Sequence, residues 1–508
     1  MEQREDKFWC TQAQMNTQSV NFEQNSEISV PDYLGEISRL LRVWPRVLPP
    51  RRFISGGNAE FSGRVCYDVL YAGADGKLYH TDMEDTYTFS VPLQGEGAEP
   101  CAFLVPDVVV GRVIAPRRLA VRCRVQAQVG EYRSRPVGVT LSPEEQEQVC
   151  VLGDAVECGR HFATVSDTLE LQESFDTHLK APQVILARGE VFLPEVTATH
   201  DGIRCRGEVV VSLLCCEEGE QAKETGGSLP VAVTRSLPFT TLLSLEGVCG
   251  EDMARAVGTV EELRTTVEGN RISLSVGAVL QAEAAGHETV PFVKDLFLPH
   301  MQSECRTTPQ KNWVPTVCKN QNYSLSATPT LSEIGLPSGA IVVDVCADAE
   351  IGERNADAGQ VSIRGSVHCH LLYHAGEEWG VGEAKIPFCV AFEGEAEAFS
   401  VLASVPLCRV QQEQGIVRLM PELAVSILGG ASVSFAPVQE VCFSPVQNDG
   451  ACDLEFYYPA KGETLWEISR RFALPPEALA NANGLESSAL CDPNVWGQTR
   501  YLMLPSEV

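Results

Sequence analysis

Three histidines lie close together in residues 368–374, where the sequence reads His-Cys-His-Leu-Leu-Tyr-His. On a β-strand, His368, His370 and His374 would point to the same face, because their numbers differ by even steps. Imidazole is a common zinc ligand, so this face is a conceivable metal surface. The alternative is an exposed polar face opposite an apolar face that includes Val367. We favour that alternative because no carboxylate can be placed that would orient the imidazoles, and we expect no metal and no cofactor.

The sequence also lacks several enzyme signatures that are recognised by residue spacing. The sequence contains no G-x-x-x-x-G-K-[S/T] phosphate loop, no G-x-S-x-G nucleophile elbow and no H-E-x-x-H zinc motif. Its 19 cysteines form no C-x-x-C pair and follow no regular framework. We interpret them as reduced, mostly structural thiols. The sequence therefore predicts a protein that is not an enzyme and has no catalytic residues.

Charge and hydropathy narrow the class of partner. The 508 residues carry a formal net charge of −29, a field that repels phosphate backbones and argues against nucleic acid as a partner. No apolar run reaches the roughly 18 residues of a membrane helix. The first ten residues carry acids and amides rather than the basic start and apolar stretch of an export signal. We expect a cytoplasmic protein with no membrane span.

A strand pattern recurs three times along the chain. It begins at Gly63, Gly207 and Gly365. Each glycine is followed two positions later by Val, and an apolar pair follows that Val after three further positions. The glycines are separated by domain-sized intervals, and two further apolar strands follow each copy. The pattern predicts a mainly β protein with three repeated, sandwich-like modules and a small C-terminal β-α-α-β domain. The expected boundaries are a mobile polar tail at 1–29, modules at 30–140, 170–290 and 320–440, and the final domain at 453–506.

Two local patterns lie within the first module. Leu119, Val121, Cys123 and Val125 alternate with polar residues, as in a half-buried antiparallel strand. The opposite face is basic and is a candidate surface for an acidic partner, although plain solvent exposure is the alternative. Its candidate residues are Arg117, Arg118, Arg122 and Arg124. Upstream, the helical spacing of apolar residues in 33–41 predicts a short helix.

The last 55 or so residues follow a different pattern. An aromatic strand at Phe456 is followed by a turn, and Thr464 can cap a helix over 465–472. Pro475 and Pro476 start a second helix, which ends at Asn483 and Gly484 before a closing strand. With its Gly-x-Thr-Leu-Trp-x-Ile-Ser and Asn-x-Asn-Gly-Leu segments, this unit resembles a LysM module.

The LysM resemblance implies a ligand groove between two loops. The positions that match this groove are Gly462, Glu463, Thr464, Ala482, Asn483, Gly484 and Leu485. Two tryptophans, Trp466 and Trp496, are added as candidates because an exposed tryptophan could anchor a sugar or a protein. For several of these a structural role is the alternative: Thr464 as a helix cap, and Asn483 with Gly484 as a helix end.

The upstream repeats resemble the SPOCS domain of endospore-forming Firmicutes. The resemblance rests on the Pro31-Asp32 lead-in, the Gly-x-Val strand ending in Leu-Tyr, and the basic strand of residues 115–122. SPOCS repeats followed by one LysM resemble SipL-type spore-envelope, or spore-coat, assembly proteins. This implies a non-catalytic scaffold on the mother-cell side of the forespore, whose partners are the SpoIVA-type coat-basement ATPase and other coat proteins. The rival hypothesis is a protein that binds N-acetylglucosamine-containing peptidoglycan through LysM.

Overall fold

A computed structural model describes residues 8–95, 97–161, 164–217, 229–357, 359–446, 455–485, 491–492 and 501–505. Over these residues the chain is predominantly antiparallel β-sheet, as the sequence predicts, and the helices are short. Among the described helices, none has the length and apolar character needed to cross a membrane.

Module 1 is a two-sheet β-sandwich over residues 9–138. One sheet has the order β1-β7-β6, and the other places β4 between β2 and β5, with β3 also paired to β4. Ile28, Tyr67 and Val121 lie in one buried core between the sheets. The strands are β1 Trp9–Ser29, β2 Ile37–Val47, β3 Arg51–Ser55, β4 Asn58–Gly73, β5 Leu78–Pro92, β6 Glu99–Ala115 and β7 Arg118–Gly138.

Module 2 covers residues 165–297 and is preceded by helix α1, Pro143–Gln148, and strand β8, Cys150–His161. Its sheets are β10-β11-β12 and a second sheet in which β13, β9 and β8 all pair with the long β14. The strands are β9 Val165–Asp176, β10 Pro182–Thr199, β11 Gly202–Glu217, β12 Val231–Ser244, β13 Met253–Glu268 and β14 Arg271–Phe297.

Module 3 covers residues 310–435, and the C-terminal unit follows it. The module has sheets β17-β18-β19 and β16-β21-β20, and a separate pair, β15 with β22, flanks it. The strands are β15 Met301–Thr307, β16 Gln310–Ser324, β17 Ile341–Asp357, β18 Gln360–Ala375, β19 Glu378–Glu393, β20 Ala398–Glu413, β21 Ile416–Phe435 and β22 Val438–Pro445. The C-terminal unit contains β23 Glu455–Tyr457, α2 Leu465–Phe472, α3 Pro476–Asn483 and β24 Leu502–Leu504.

The three modules share one strand order. The repeated strands that begin at Gly63, Gly207 and Gly365 lie in β4, β11 and β18, and each is the central strand of one of the two sheets in its module. The later repeated strands are β7, β14 and β21, and each is central in the opposite sheet of its module. Each module also has its own core between its two sheets. The sequence repeat is therefore a repeat of topology.

Equivalent positions of the modules converge in space. Leu70, Leu214 and Leu372, each seven residues after the repeat glycine, lie in one buried cluster. Between neighbouring modules, Gln281 donates to the Ala102 carbonyl at 2.9 Å, and the Gln128 amide pairs with the backbone of Val401. The three modules therefore contact one another through related positions of their repeated strands.

Residues 9–29 differ from the expected mobile tail. They form β1, which pairs with β7 along its whole length, from Trp9 opposite Gly138 to Ser29 opposite Arg118. The polar composition misled the prediction, because a strand is held by backbone hydrogen bonds that do not depend on apolar side chains. Residues 1–7 lie outside the described part of the chain.

The helix expected over residues 33–41 is wrong. Ile37–Val47 is β2, which pairs with β4. Register shifts occur between Ile37 and Arg39 and between Leu40 and Arg42. Each bulge reverses which face the following residues point to, so the apolar residues acquire a spacing that imitates a helix.

Candidate functional site

Local sequence explains how the C-terminal unit folds. Thr464 caps α2, because its hydroxyl accepts from the Glu467 amide at 3.3 Å while the Glu467 carboxylate accepts from the Thr464 amide at 2.8 Å. This reciprocal pair is a capping box. Gly484 ends α3 in the left-handed conformation, with φ of 64°, where a side chain would be strained. The alternative roles considered for Thr464 and Gly484 are thus present in the structure.

Glu463 and Asn483, two of the expected groove residues, hold the unit together. Glu463 is buried and accepts hydrogen bonds from the Tyr457 hydroxyl and the Ala460 amide. Asn483 accepts from the Met503 amide at 2.7 Å and donates to the Met503 carbonyl, which ties α3 to β24. Their polar groups are therefore committed within the domain.

The remaining groove candidates differ in exposure. Gly462 and Gly484 are exposed, and Ala482 is half-buried. Leu485 packs against the small core of the unit. Trp496 lies outside the described residues. Among the described groove candidates, the exposed positions Gly462 and Gly484 therefore offer backbone groups rather than side chains.

Trp466 is not the exposed anchor that the sequence predicts. Only 3% of its surface is exposed, and its indole N–H donates to Asp295 on β14 at 2.8 Å. The Arg470 guanidinium binds the same carboxylate oxygen at 2.7 Å, and the indole packs edge-on against Phe297 with 5.0 Å between ring centroids. Trp466 instead docks the C-terminal unit onto module 2.

The exposed aromatic residues of this unit lie in or next to its two-stranded sheet, in which β23 pairs with β24. Phe456, Tyr458 and Tyr501 are 46%, 69% and 51% exposed, respectively. Phe456 lies edge-on to Tyr501 at 5.1 Å, and the Tyr458 ring is 6.3 Å from that of Tyr501. Tyr457, between the two, points inward and packs on Phe472. We call Phe456, Tyr458 and Tyr501 the aromatic triad; strand alternation at 456–458 is the sequence signal that could have predicted it.

The basic strand face is not a free cationic patch. Arg118 pairs with Glu27, Arg122 pairs with Glu23, and Arg124 lies 2.5 Å from Asp107. The acidic partners come from β1 and β6, the strands on either side of β7. Sequence alone missed them because the β1 segment was expected to be a tail.

Arg117 has a different position from the other three arginines. It lies in the turn before β7 and donates to the carbonyls of Pro31 and Leu34, both at 3.0 Å. It therefore fixes the segment that leads into β2. Whether the basic strand of β7 binds an acidic partner stays a prediction, and its three arginines reach that surface already paired with carboxylates.

The histidines of β18 face carboxylates. His368 is 2.7 Å from Glu350, and His370 is 3.5 Å from Asp348. His374 packs against the Trp379 ring with 4.6 Å between centroids. Neighbouring carboxylates are thus present, but these three imidazoles do not converge on a common point in the part of the chain that the structure describes.

A cavity of about 1480 Å³ lies between the modules. Its walls include equivalent strands of all three modules: β2 and β6, β10 and β13, and β17 and β20. Arg188 binds Asp344 at 2.6 Å and stacks over the Trp44 ring, while the Trp44 N–H donates to the Cys346 sulfur at 3.3 Å. These groups satisfy one another, so they join the modules rather than leave charges free for a ligand.

Glu190 also faces this cavity. Although the Glu190 side chain is exposed to solvent in the open cavity, the surrounding walls limit its hydration, and together with the nearby Asp348 carboxylate they raise its pKa from 4.5 to about 7. Arg188 and Arg46 act in the opposite direction but do not compensate fully. Glu190 is therefore a group of the cavity wall that titrates near neutral pH.

Cys101, His161 and Glu283 form a buried group of metal-ligand type that the sequence analysis missed. One ligand atom from each lies within 4.8 Å of those of the other two. Arg255 pairs with Glu283 and stacks over Phe103 at 4.7 Å. The ligands are separated by 60 and 122 residues, so no spacing motif could have revealed them.

The C-terminal unit pairs β23 with β24 as two antiparallel strands, and the two short helices α2 and α3 lie between these strands in the chain. Residues 460–490 match the LysM domain family, so the chain contains a LysM domain. That assignment suggests glycan binding, of the peptidoglycan type. No curated protein and no solved structure matches the chain.

Proposed function

We propose that this protein is a non-catalytic assembly scaffold in which three SPOCS-like modules form a platform and the LysM domain binds a partner protein. The observation that best supports the proposal is the contact of Trp466 and Arg470 with Asp295. A buried aromatic ring and a shared carboxylate hold the LysM domain in one orientation on module 2. A fixed orientation suits a protein that must position its partner relative to a larger assembly.

The finer form of the proposal follows the resemblance to SipL-type spore-envelope proteins. The chain would act in the mother-cell cytoplasm at the forespore surface, and its partner would be the SpoIVA-type coat-basement ATPase. The aromatic triad of Phe456, Tyr458 and Tyr501 is the surface we assign to that contact. Large aromatic side chains with a polar edge are enriched among residues that dominate protein interfaces.

The second candidate function is binding of N-acetylglucosamine-containing peptidoglycan. The LysM match at residues 460–490 favours it. Exposed aromatic rings also stack on the apolar faces of sugars, so the triad by itself does not separate the two candidates.

The test uses the full chain, because the LysM domain is docked on module 2. Binding is measured against the purified SpoIVA-type ATPase and, separately, against insoluble peptidoglycan. Tyr458→Ala removes the most exposed ring of the triad. Phe53→Ala is the matched control, since Phe53 is 66% exposed and lies on module 1.

We expect the wild-type chain to bind the ATPase, with an affinity reduced about tenfold or more by Tyr458→Ala and unchanged by Phe53→Ala. Binding to peptidoglycan alone would replace this proposal with the second candidate. Equal losses from Tyr458→Ala and Phe53→Ala would refute the assignment to the triad.

A further inference from the structure

We propose that Cys101, His161 and Glu283 bind one zinc ion that links module 1 to module 2. Cys101 lies on β6 of module 1, whereas His161 and Glu283 lie on β8 and β14 of one sheet on the module 2 side. All three are at most 7% exposed. A thiolate, an imidazole and a carboxylate are the ligand types that zinc takes from proteins.

The distances between the ligand atoms fit a tetrahedral ion. The Cys101 sulfur lies 3.7 Å from Oε2 of Glu283, and Nε2 of His161 lies 3.0 Å from the same oxygen. With metal–ligand bonds of about 2.0 to 2.3 Å, tetrahedral zinc separates its ligand atoms by roughly 3.3 to 3.5 Å. Shifts of a few tenths of an ångström in these two separations would bring them to that range.

The surrounding hydrogen bonds leave Oε2 of Glu283 directed at the thiol and the imidazole. Arg255 binds the other carboxylate oxygen, Oε1, and so fixes the orientation of the group. Arg255 is itself held by the Ser400 carbonyl of module 3 and by the Phe103 ring. Partners that orient a ligand in this way are typical of metal sites.

Space and charge also suit an ion. A cavity of about 170 Å³ is lined by Cys101, Arg255 and Glu283, and it has room for water as a fourth ligand. On binding, the Cys101 thiol loses its proton, so thiolate and carboxylate together balance the two charges of zinc. The neutral imidazole adds a lone pair, and Arg255 remains on the far carboxylate oxygen.

The test measures zinc in the reduced full chain after zinc loading and dialysis. Cys101→Ala removes the sulfur ligand, and Cys205→Ala is the matched control, because Cys205 is a fully buried thiol in the module 2 core. We expect about one zinc per wild-type chain, an unchanged content in Cys205→Ala, and a loss of about tenfold in Cys101→Ala. With cobalt(II) in place of zinc, a thiolate-to-cobalt charge-transfer band should appear in the wild-type protein and in Cys205→Ala. The band should be absent from Cys101→Ala.

Two results would overturn the proposal. One is a wild-type chain that retains no more zinc than Cys101→Ala. The other comes from X-ray absorption at the zinc edge of the wild-type protein, where two or more sulfur ligands would place the ion at other cysteines. The absorption measurement needs no variant, so it decides the question even if Cys101→Ala does not fold.

Discussion

The indole N–H of Trp466 donates to the Asp295 carboxylate across the interface between the LysM domain and module 2, at 2.8 Å. The two residues are 171 positions apart in the chain. The backbone adds a second link nearby, where the His300 amide donates to the Ala473 carbonyl at 2.8 Å. The LysM domain is thus part of the folded body of the protein.

We expect Trp466→Phe to loosen this interface while preserving the LysM core. The variant keeps an aromatic ring against Phe297 but loses the hydrogen bond to a charged acceptor, which contributes roughly 1.5 to 3 kcal/mol. Hydrogen exchange should become faster in α2 and in β14 around Asp295. In a double-mutant cycle with Asp295→Asn, strictly additive effects would argue against the contact.

Gln128→Ala is expected to weaken the junction between modules 1 and 3. The amide of Gln128 donates to the Val401 carbonyl and accepts from the Val401 amide at 3.0 Å, so its loss leaves two buried backbone groups unpaired. The expected cost is about 2 to 4 kcal/mol in the free energy of unfolding, measured with urea. Gln126→Ala, on the same face of β7, is the control and should cost much less; equal costs would refute the junction.

Glu190 should make stability depend on pH. Its pKa is about 7 in the folded protein against an ordinary 4.5, so the folded state retains a proton that the unfolded state releases. The stability contributed by this group therefore falls as pH rises from 4.5 to 7. Glu190→Gln should match the wild type at about pH 4.5 and be more stable at about pH 8, by about 1 kcal/mol after allowing for screening in the cavity. A difference that is the same at both pH values would exclude this titration.

The basic face of β7 should contribute little to binding. Arg122 and Arg124 are paired with Glu23 and Asp107, and exposed pairs of this kind are screened by solvent. We expect Arg122→Ser combined with Arg124→Ser to leave the melting temperature unchanged and any affinity for the ATPase proposed as partner within about twofold. A large, salt-dependent loss of affinity would restore the hypothesis of a basic docking surface.

Much of the local structure of the candidate site could be predicted from short stretches of sequence. The capping pattern at Thr464 and the helix stop at Gly484 were predicted because each depends on residues within four positions. The position of Trp466 was not predicted. The spacing of apolar residues on a helix indicates which face is buried but not which part of the chain covers that face. The pairing of Arg122 was likewise hidden by its dependence on a strand 99 residues away.

The amino-acid sequence by itself determined the β-rich repeats, the alternating face of β7 and the LysM motif, since periodicity and capping are local properties. Tertiary structure alone decided that Leu70, Leu214 and Leu372 meet in one cluster and that Cys101, His161 and Glu283 lie together. It also decided that β1 is a strand. These outcomes rest on contacts between distant segments, whose partners are chosen by the packing of whole sheets and leave no regular spacing in the chain.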